Sequence, residues 1–391
     1  MGDGRIERHI KYLVSQHNQV VRIHFNRSEM ALSSGPFSQF GERGYRINVI
    51  SDTMRIKNNP VYFNFFCLTS LIVFKAIKAI RSLGIDTVRP TIFHVHDPAL
   101  LCLAGILKKS HFADAKIVYD RHEVYETQSF IWGIKMPNIA RMYETRTSNN
   151  VDGVISVSRS HNTPIHKLFP KAMINTVPNY PCKADYNIKK IINKLENIKN
   201  NKIINLSYVG SLANNYDRDI DLILNIYEEA MHSYPNVTCS IGGQCNNQAL
   251  KNRFIKLKDE FGNRFEYLGR IPRKHTVDLT ERSHVGFFLI RPETTYWVRS
   301  SPNKVYEYLI CGVIPVVRAD IDHPEAFANC SLIFERDAPQ DVIIRGVVNL
   351  LDNPNRLKTM MENSLALSNE FIFESVGINY INIYKNLFEK Q

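Results

Sequence analysis

Val285-Gly286-Phe287-Phe288-Leu289-Ile290 is the stretch that decides the class of fold. An unbroken apolar run of this length is typical of a strand that is buried on both faces of a parallel sheet. Similar short runs recur at 20–25, 46–50, 91–96, 116–120, 153–158, 175–178, 203–210, 237–243, 265–269, 313–318 and 332–335. The spacers between them are long enough for crossover helices, so the sequence predicts an α/β protein with doubly wound parallel sheets.

A connector with two prolines, Pro178-Asn179-Tyr180-Pro181, divides these strands into two series. The prolines end a strand and favour an extended linker, and the Lys- and Asn-rich stretch after them is typical of a solvated helix. We therefore predict two Rossmann-like domains, over residues 1–182 and 183–371, whose sheets face a cleft. Such folds bind ligands beyond the carboxyl ends of their strands, so we expect the functional residues in the loops that follow strands.

The composition is that of a soluble globular protein, with 44% hydrophobic and 22% charged residues among 391. The 49 Lys and Arg exceed the 38 Asp and Glu. The resulting net charge of +11 suits nucleic acid, an anionic membrane surface or phosphate-bearing small molecules as partners. The seven cysteines form no CxxC pair, which is typical of reduced thiols in a cytosolic protein.

Residues 61–80 come nearest to a membrane-spanning segment. Asn64, Lys75 and Lys78 interrupt the apolar run, which therefore falls short of the roughly 20 apolar residues that a span needs. This pattern favours a mostly buried helix, and a helix that docks on a membrane surface is the alternative.

The segment 300–309 carries the strongest signal for a binding site. Ser301 before Pro302 predicts a helix start, with backbone N–H groups and the positive dipole end at Asn303. Lys304 in that first turn suits a diphosphate better than it suits a structural helix. Glu307, one turn later, could accept hydrogen bonds from the vicinal hydroxyls of a ribose. The alternative is an ordinary capped helix with a surface ion pair.

A second candidate follows the predicted strand 203–210. Gly210 would let a ligand approach the backbone closely, Ser211 begins the polar loop, and Arg218 near the next helix could clamp a phosphate. The alternative is that this strand, glycine, loop and helix have only a structural role.

Histidines mark two strand ends in the first half of the chain. Alternation places His94 and His96 on one face, Asp97 stands where the loop begins, and His122 with Glu123 follows the next strand. A histidine at such an edge can orient a sugar hydroxyl or act as an acid or base, and a turn-stabilising role is the alternative.

The sequence lacks the motifs of several common enzyme classes and metal sites. The chain has no HExxH and no CxxC, so we expect no bound metal. It has no GxGxxG after a strand, no Walker GK[ST] and no GxSxG, which disfavours dehydrogenases, NTPases and α/β-hydrolases. Its basic residues are dispersed, which disfavours nucleic acid as a partner.

The ordered set of motifs resembles the family 4 glycosyltransferases, which have the GT-B fold. The segments that carry the resemblance, in chain order, are 3–5, 94–98, 119–123, 154–158, 177–179, 208–210, 268–272, 302–309 and 312–317. The resemblance spans nearly the whole chain. Each motif is modest by itself, but the order of the set is specific.

The resemblance implies retaining, metal-independent transfer of a sugar from a nucleotide-diphosphate donor, without a cofactor. The C-terminal domain would bind the donor through Gly210, Ser211, Arg218, Arg299, Ser301, Asn303, Lys304 and Glu307. The N-terminal domain would bind a glycan or polyprenyl-diphosphate-linked acceptor with Arg5, His96 and Asp97, and His122 with Glu123 would be catalytic. A C-terminal helix, residues 372–391, would cross back to the first domain.

Two departures from the family accompany the resemblance. Arg299 stands where many members have a second glutamate, eight positions before Glu307. The chain also begins almost at Asp3, where members have a β-strand first, so we expect the N-terminal sheet to lack its first strand.

These observations favour a cytoplasmic glycosyltransferase of surface polysaccharide biosynthesis, peripheral on the inner face of an anionic cell membrane. One alternative is a GT-B sugar-nucleotide 2-epimerase. The other is a non-catalytic sugar-nucleotide-binding partner of an active transferase, which the Arg299 departure and the missing first strand motivate.

Overall fold

The computed structural model describes residues 4–26, 34–48, 70–86, 88–122, 130–131, 134–198, 203–212, 217–294, 301–322 and 324–389. By its internal contacts the chain divides into two compact units, Met1–Pro178 with Val376–Gln391, and Asn179–Ser375. The sequence places the first boundary after residue 182 and the return of the chain at residue 372, close to these two positions.

The N-terminal unit contains α1 (Gly4–Ser15), β1 (Val21–Asn26), β2 (Gly35–Phe37), β3 (Arg43–Asn48), α2 (Ser70–Ser82), β4 (Ile92–Val95), α3 (Pro98–His111), β5 (Lys116–Arg121), β6 (Phe130–Ile131), β7 (Ile134–Lys135), α4 (Met136–Thr147), β8 (Gly153–Ser156), α5 (Asn162–Leu168) and β9 (Met173–Thr176). Its larger ladder is parallel, in the order β4-β5-β8-β9. A second ladder joins β1 to β3 in parallel and β2 to β3 antiparallel. The two-residue strands β6 and β7 form a hairpin.

The two larger ladders of this unit share one hydrophobic core. Ile23 of β1, Ile47 of β3 and Phe93 of β4 all pack in the cluster that contains Ala79 of α2 and Leu103 of α3. Within the described ranges, no strand pairs with both β1 and β4.

The C-terminal unit contains α6 (Ile188–Glu196), β10 (Ile204–Val209), α7 (Ile220–Ser233), β11 (Val237–Gly242), α8 (Gln248–Phe261), β12 (Phe265–Tyr267), α9 (Arg273–Arg282), β13 (Val285–Leu289), α10 (Asn303–Ile310), β14 (Ile314–Arg318), β15 (Leu332–Ile333), α11 (Gln340–Leu351) and α12 (Pro354–Leu367), and α13 (Phe373–Val376) follows at its edge. Its sheet is parallel, in the order β12-β11-β10-β13-β14-β15. This is the Rossmann order, which reverses between β10 and β13. The predicted doubly wound parallel sheet is confirmed here.

Helix α10 is fixed closely against the central strand β13. The Tyr308 hydroxyl lies 3.2 Å from the amide nitrogen of Phe287, and a Cβ at Gly286 would lie 2.5 Å from the Tyr308 ring. At the same C-terminal end, Lys194 of α6 donates to the carbonyls of Cys311 (2.8 Å) and Ser283 (2.6 Å), where α10 and α9 end. A cation at two helix C-termini is electrostatically favourable, so the C-terminal half of α10 is held in place.

The chain returns to the N-terminal unit in α14 (Ile378–Glu389). The sequence predicts one continuous helix here, and that prediction is wrong, because α13 and α14 are separated at Gly377. A Cβ at Gly377 would lie 3.0 Å from the Tyr12 ring of α1, so glycine permits this close packing. The Asn379 side chain then donates to the Thr176 carbonyl (3.2 Å), which ties α14 to β9.

Helix α2 covers the described part of the segment that the sequence identifies as most span-like; residues 61–69 lie outside the described residues. Ala76 and Ala79 are buried, whereas Phe74 is 63% exposed and Lys78 and Arg81 are exposed. The helix therefore has one buried and one exposed face, and the expectation of a mostly buried helix holds for one face only. Within the described ranges, no helix has the length and apolar character to cross a membrane.

Candidate functional site

The first group of predicted site residues lies at the carboxyl ends of β10 and β13, where the strand order reverses. Gly210 follows β10, and its N–H donates to the Gly242 carbonyl (2.9 Å). A Cβ at position 210 would lie 2.5 Å from the Tyr208 hydroxyl, so a larger residue would disturb this packing. Ser211 comes next and is exposed. A Rossmann-like sheet binds its ligand at this position.

Lys304 brings a cation to the end of β10. Its Nζ donates to the Val209 carbonyl and lies 5.2 Å from the centroid of the Tyr208 ring. Burial lowers the pKa of Lys304 to about 8, an effect that the Glu307 carboxylate opposes and the Arg218 guanidinium reinforces. A diphosphate beside Nζ would supply the negative charge that a poorly solvated ammonium group favours.

Arg218 supplies a second cation near the same strand ends. Its Cζ lies 4.6 Å from the centroid of the Phe288 ring, and its Nη1 is 3.2 Å from the Asp217 carboxylate. Residue 218 also forms an isolated β-bridge with Ile290, directly after β13. The positive charge of Arg218 lowers the pKa of Lys304, so the two predicted diphosphate contacts are close enough to repel each other.

Glu307 lies one helical turn after Lys304, as predicted, but its ion-pair partner comes from another helix. Nη1 of Arg273, the first residue of α9, donates to Oε1 of Glu307 at 2.5 Å. Nη2 of the same guanidinium is 3.3 Å from the Tyr186 hydroxyl. The sequence analysis missed Arg273 and Tyr186; the only signal was that Arg273 follows Pro272 in the loop after a strand, as the other candidates follow strands.

The start of α10 differs in detail from the prediction. The helix begins at Asn303, which is exposed, and Pro302 rather than Ser301 occupies the cap position. The hydroxyl of Ser301 accepts a hydrogen bond from the N–H of Asn179 (3.2 Å) instead of capping the helix. Among the described contacts the helix therefore has no side-chain cap, and its first N–H groups can bind an anion. Arg299 lies outside the described residues.

The second group of predicted residues surrounds Asp120 at the end of β5. The Asp120 carboxylate is fully buried and accepts from Nε of Arg5 at 2.9 Å and from the Tyr380 hydroxyl at 3.2 Å. Nε2 of His94 and Nδ1 of His96 each lie 3.5 Å from the same carboxylate oxygen. Burial alone would raise the pKa of Asp120, but Arg5 and the histidines hold it well below its usual range. Asp120 is therefore the ionised centre of a buried network.

We call His9, His94, His96, Asp120 and His122 the histidine cluster. The rings of His94 and His96 are 4.6 Å apart, which confirms that both point to one face of β4. The Tyr384 hydroxyl of α14 bridges Nε2 of His9 (2.8 Å) and Nδ1 of His94 (2.6 Å). Burial lowers the pKa of His9, His94 and His96, so these three rings are neutral near pH 7.

The predicted acceptor-side residues take different positions around this cluster. Arg5 is 2% exposed and pairs with Asp120, which makes it part of the buried network. Asp97 caps α3 by accepting from the N–H of Ala99 (2.9 Å), which is the turn-stabilising alternative. His122 is at the edge, half-buried, with Nδ1 3.1 Å from the Asp120 carbonyl oxygen. Glu123 lies outside the described residues.

The histidine cluster contains two triads with metal-ligand spacing, His9 with His94 and His96, and His96 with Asp120 and His122. The Arg5 guanidinium is already paired with the only carboxylate of these two triads. A divalent cation at Asp120 would therefore be repelled by a buried positive charge. The groups around Asp120 fit a hydrogen-bonded network better than they fit a metal centre.

Comparisons with known proteins identify the fold. The family model Glycosyltransferase Family 4 matches residues 6–180. No curated protein sequence matches the chain. Sucrose-phosphate synthase from Thermosynechococcus elongatus superposes with a TM-score of 0.71 at 15% identity, covering 99% of this chain and 93% of that one.

Two further solved structures share the architecture. A trehalose-6-phosphate synthase, studied with bisubstrate glycomimetics of transfer with retention, has a TM-score of 0.67 at 12% identity and covers 99% of this chain and 97% of that one. Anabaena Alr3699/HepE in complex with UDP has a TM-score of 0.59 at 13% identity, covering 81% and 82%. The chain thus has the GT-B glycosyltransferase fold, with two Rossmann-like α/β units.

Proposed function

We propose that the protein is a retaining glycosyltransferase that moves a sugar from a nucleoside-diphosphate sugar to a glycan or lipid-linked glycan acceptor, in surface polysaccharide biosynthesis. One observation carries the proposal. Lys304 donates to the Val209 carbonyl, next to Gly210, where the strand order of the C-terminal sheet reverses. Arg218 acts on the pKa of Lys304 and of Tyr208 at the same strand end, and Glu307 lies one helical turn after Lys304. Two cations, an uncapped helix start and a carboxylate match a diphosphate joined to a ribose.

The chemistry follows from those groups. Transfer breaks the bond between C1 of the sugar and a diphosphate oxygen and forms a bond between C1 and the oxygen of an acceptor hydroxyl, whose proton passes to the leaving diphosphate. Negative charge develops on the leaving diphosphate, where Lys304, Arg218 and the N–H groups of α10 would stabilise it without a metal ion. In the N-terminal unit, His122 at the edge of the histidine cluster would orient the transferred sugar.

The proposal includes a location at an anionic membrane surface on the cytoplasmic side. The net charge of +11 and the exposed face of α2, with Phe74 and the basic Lys78 and Arg81, support it. Flotation with vesicles that contain 30% phosphatidylserine would test it, with neutral vesicles as the comparison. Equal recovery with both kinds of vesicle would contradict the membrane part of the proposal.

A thermal-shift panel of UDP-, GDP-, ADP- and TDP-sugars tests the donor site. A ligand at 100 times its Kd stabilises the protein by roughly 2.7 kcal/mol, which is readily measured. Glu307→Ala should reduce the shift, while the exposed Lys274→Ala should not. A stable wild-type chain that no nucleotide sugar stabilises would overturn the proposal.

Two measurements distinguish the competing functions. Donor conversion to an epimer without any acceptor would favour a 2-epimerase. Donor binding without transfer to any acceptor, unaffected by His122→Ala, would favour a non-catalytic partner.

A further inference from the structure

Arg273 links three elements around the carboxylate that the proposed function assigns to ribose. Its Nη1 donates to Oε1 of Glu307 in α10, and its Nη2 is within reach of the Tyr186 hydroxyl (3.3 Å). Tyr186 is 7% exposed, and the Glu307 side chain is 13% exposed, whereas that of Arg273 is 52% exposed. A solvent-facing arginine therefore binds inward to two largely buried groups.

The pairing decides which cation Glu307 uses. Lys304 precedes Glu307 by three residues on the same helix, a spacing at which Lys and Glu side chains commonly pair. In the structure Glu307 pairs with Arg273 instead, and Lys304 donates to the Val209 carbonyl at the end of β10. Arg273 thereby keeps the Lys304 ammonium group at the strand end, where the diphosphate is proposed to bind.

The pairing also leaves acceptor capacity on Glu307. A carboxylate has about four lone-pair sites, and the Arg273 hydrogen bond uses one of them on Oε1. Two vicinal hydroxyls of a ribose need two more. The Arg273 guanidinium is planar and is anchored to Tyr186 at its second nitrogen, so it also restricts the rotation of the Glu307 carboxylate. Hydrogen bonds to the far side of metal-binding side chains orient those side chains in the same way.

We propose that Arg273 is a positioning residue that orients Glu307, and that it thereby makes the site select ribonucleoside diphosphates over their 2′-deoxy counterparts. This inference rests on the proposed function, because it assumes a nucleoside diphosphate at Gly210. Hydrogen bonds to a charged group contribute enough to change affinity about tenfold to a hundredfold, so the loss of a hydroxyl should be measurable.

The test compares UDP with 2′-deoxy-UDP, and GDP with 2′-deoxy-GDP, by isothermal titration calorimetry. The wild type should bind the ribonucleotide at least tenfold more tightly. In Arg273→Met this ratio should fall to about threefold or less, because the carboxylate is no longer held. Arg273→Lys should restore the ratio only partly, because an ammonium group lacks the second anchoring nitrogen.

Two controls separate positioning from folding. Tyr186→Phe removes only the hydroxyl that anchors the guanidinium and should lower the ratio less than Arg273→Met does. Lys274→Met, at the exposed neighbouring position, should leave the ratio unchanged. Thermal unfolding midpoints of all variants show whether each one is folded.

The outcomes are distinguishable. If Arg273→Met weakens ribo- and deoxyribonucleotide binding by the same factor, or if the wild type does not discriminate between them, the inference is wrong while the donor site stands. If the folded wild type binds no nucleoside diphosphate at all, the proposed function fails, and the inference fails with it.

Discussion

Raising the pH from 7 to 9 should weaken the binding of nucleoside diphosphates about tenfold, through the titration of Lys304. Burial lowers the pKa of this side chain from 10.5 to about 8, with Arg218 and Arg273 adding to the shift and Glu307 opposing it. A bound diphosphate would favour the ammonium form and raise this pKa again. Binding above pH 8 must therefore take up a proton.

The magnitude follows from the shift. The fall of the Lys304 pKa from 10.5 to about 8 corresponds to roughly 3 kcal/mol. This is the free energy by which the ligand-free site disfavours the charged ammonium group relative to water. About nine tenths of the Lys304 side chains are protonated at pH 7 and about one tenth at pH 9, so the affinity for the diphosphate falls by roughly tenfold.

The effect of the same titration on folding has the opposite sign. Because the unfolded chain binds more protons between about pH 8 and 10.5, this lysine makes the ligand-free fold more stable as the pH rises.

Isothermal titration calorimetry of UDP or GDP at pH 7, 8 and 9, at constant ionic strength, measures the effect. Two buffers of different ionisation enthalpy give the number of protons taken up on binding. Lys304→Arg is the matched control, because a guanidinium stays protonated throughout and its profile should be flat. A wild type as flat as this variant, with no proton uptake at pH 9, would refute the reasoning.

Three further predictions concern other positions. His122→Ala should lower turnover by about a hundredfold or more while changing the donor Kd less than twofold, in steady-state and equilibrium measurements; a main effect on Kd would contradict the assigned role. Asp120→Asn should lower the free energy of unfolding in urea by about 3–5 kcal/mol, because it leaves a buried guanidinium without its carboxylate. By contrast, Asp86→Asn, at an exposed pair, should cost at most about 1 kcal/mol. Gly243→Ala should destabilise the protein by at least about 1 kcal/mol and weaken nucleotide binding, since φ is +151° and its Cβ would meet the Gly210 carbonyl oxygen; unchanged unfolding and binding would contradict this.

The strands of the C-terminal unit could be predicted because each is defined by its own residues. The run from Val285 is apolar on both faces and becomes β13, and the predicted strand 203–210 becomes β10 (Ile204–Val209). By contrast, the three-residue strand β2 has too few residues to show a period. The break at Gly377 was also missed, because the close approach of Tyr12 to that glycine joins residues far apart in the chain.

The candidate site shows the same limit. Lys304 and Glu307 were found because a helical turn links them, and their spacing is visible in the sequence. Arg273 was missed because it lies 34 residues from Glu307, at the start of another helix. The pairing of Arg5 with Asp120 was missed for a similar reason, since the two residues are 115 positions apart.

The sequence by itself determined the local features: strand and helix periods, the two series of strands, the cationic helix start and the order of the motifs. These depend on interactions between residues a few positions apart, where the geometry of a turn or a strand is already known. The tertiary structure alone decided which charges pair: Arg273 with Glu307, Lys304 with the Val209 carbonyl and Arg5 with Asp120. The physical reason is that pairing and burial depend on distances between segments remote in sequence, which exist only once the sheets have formed.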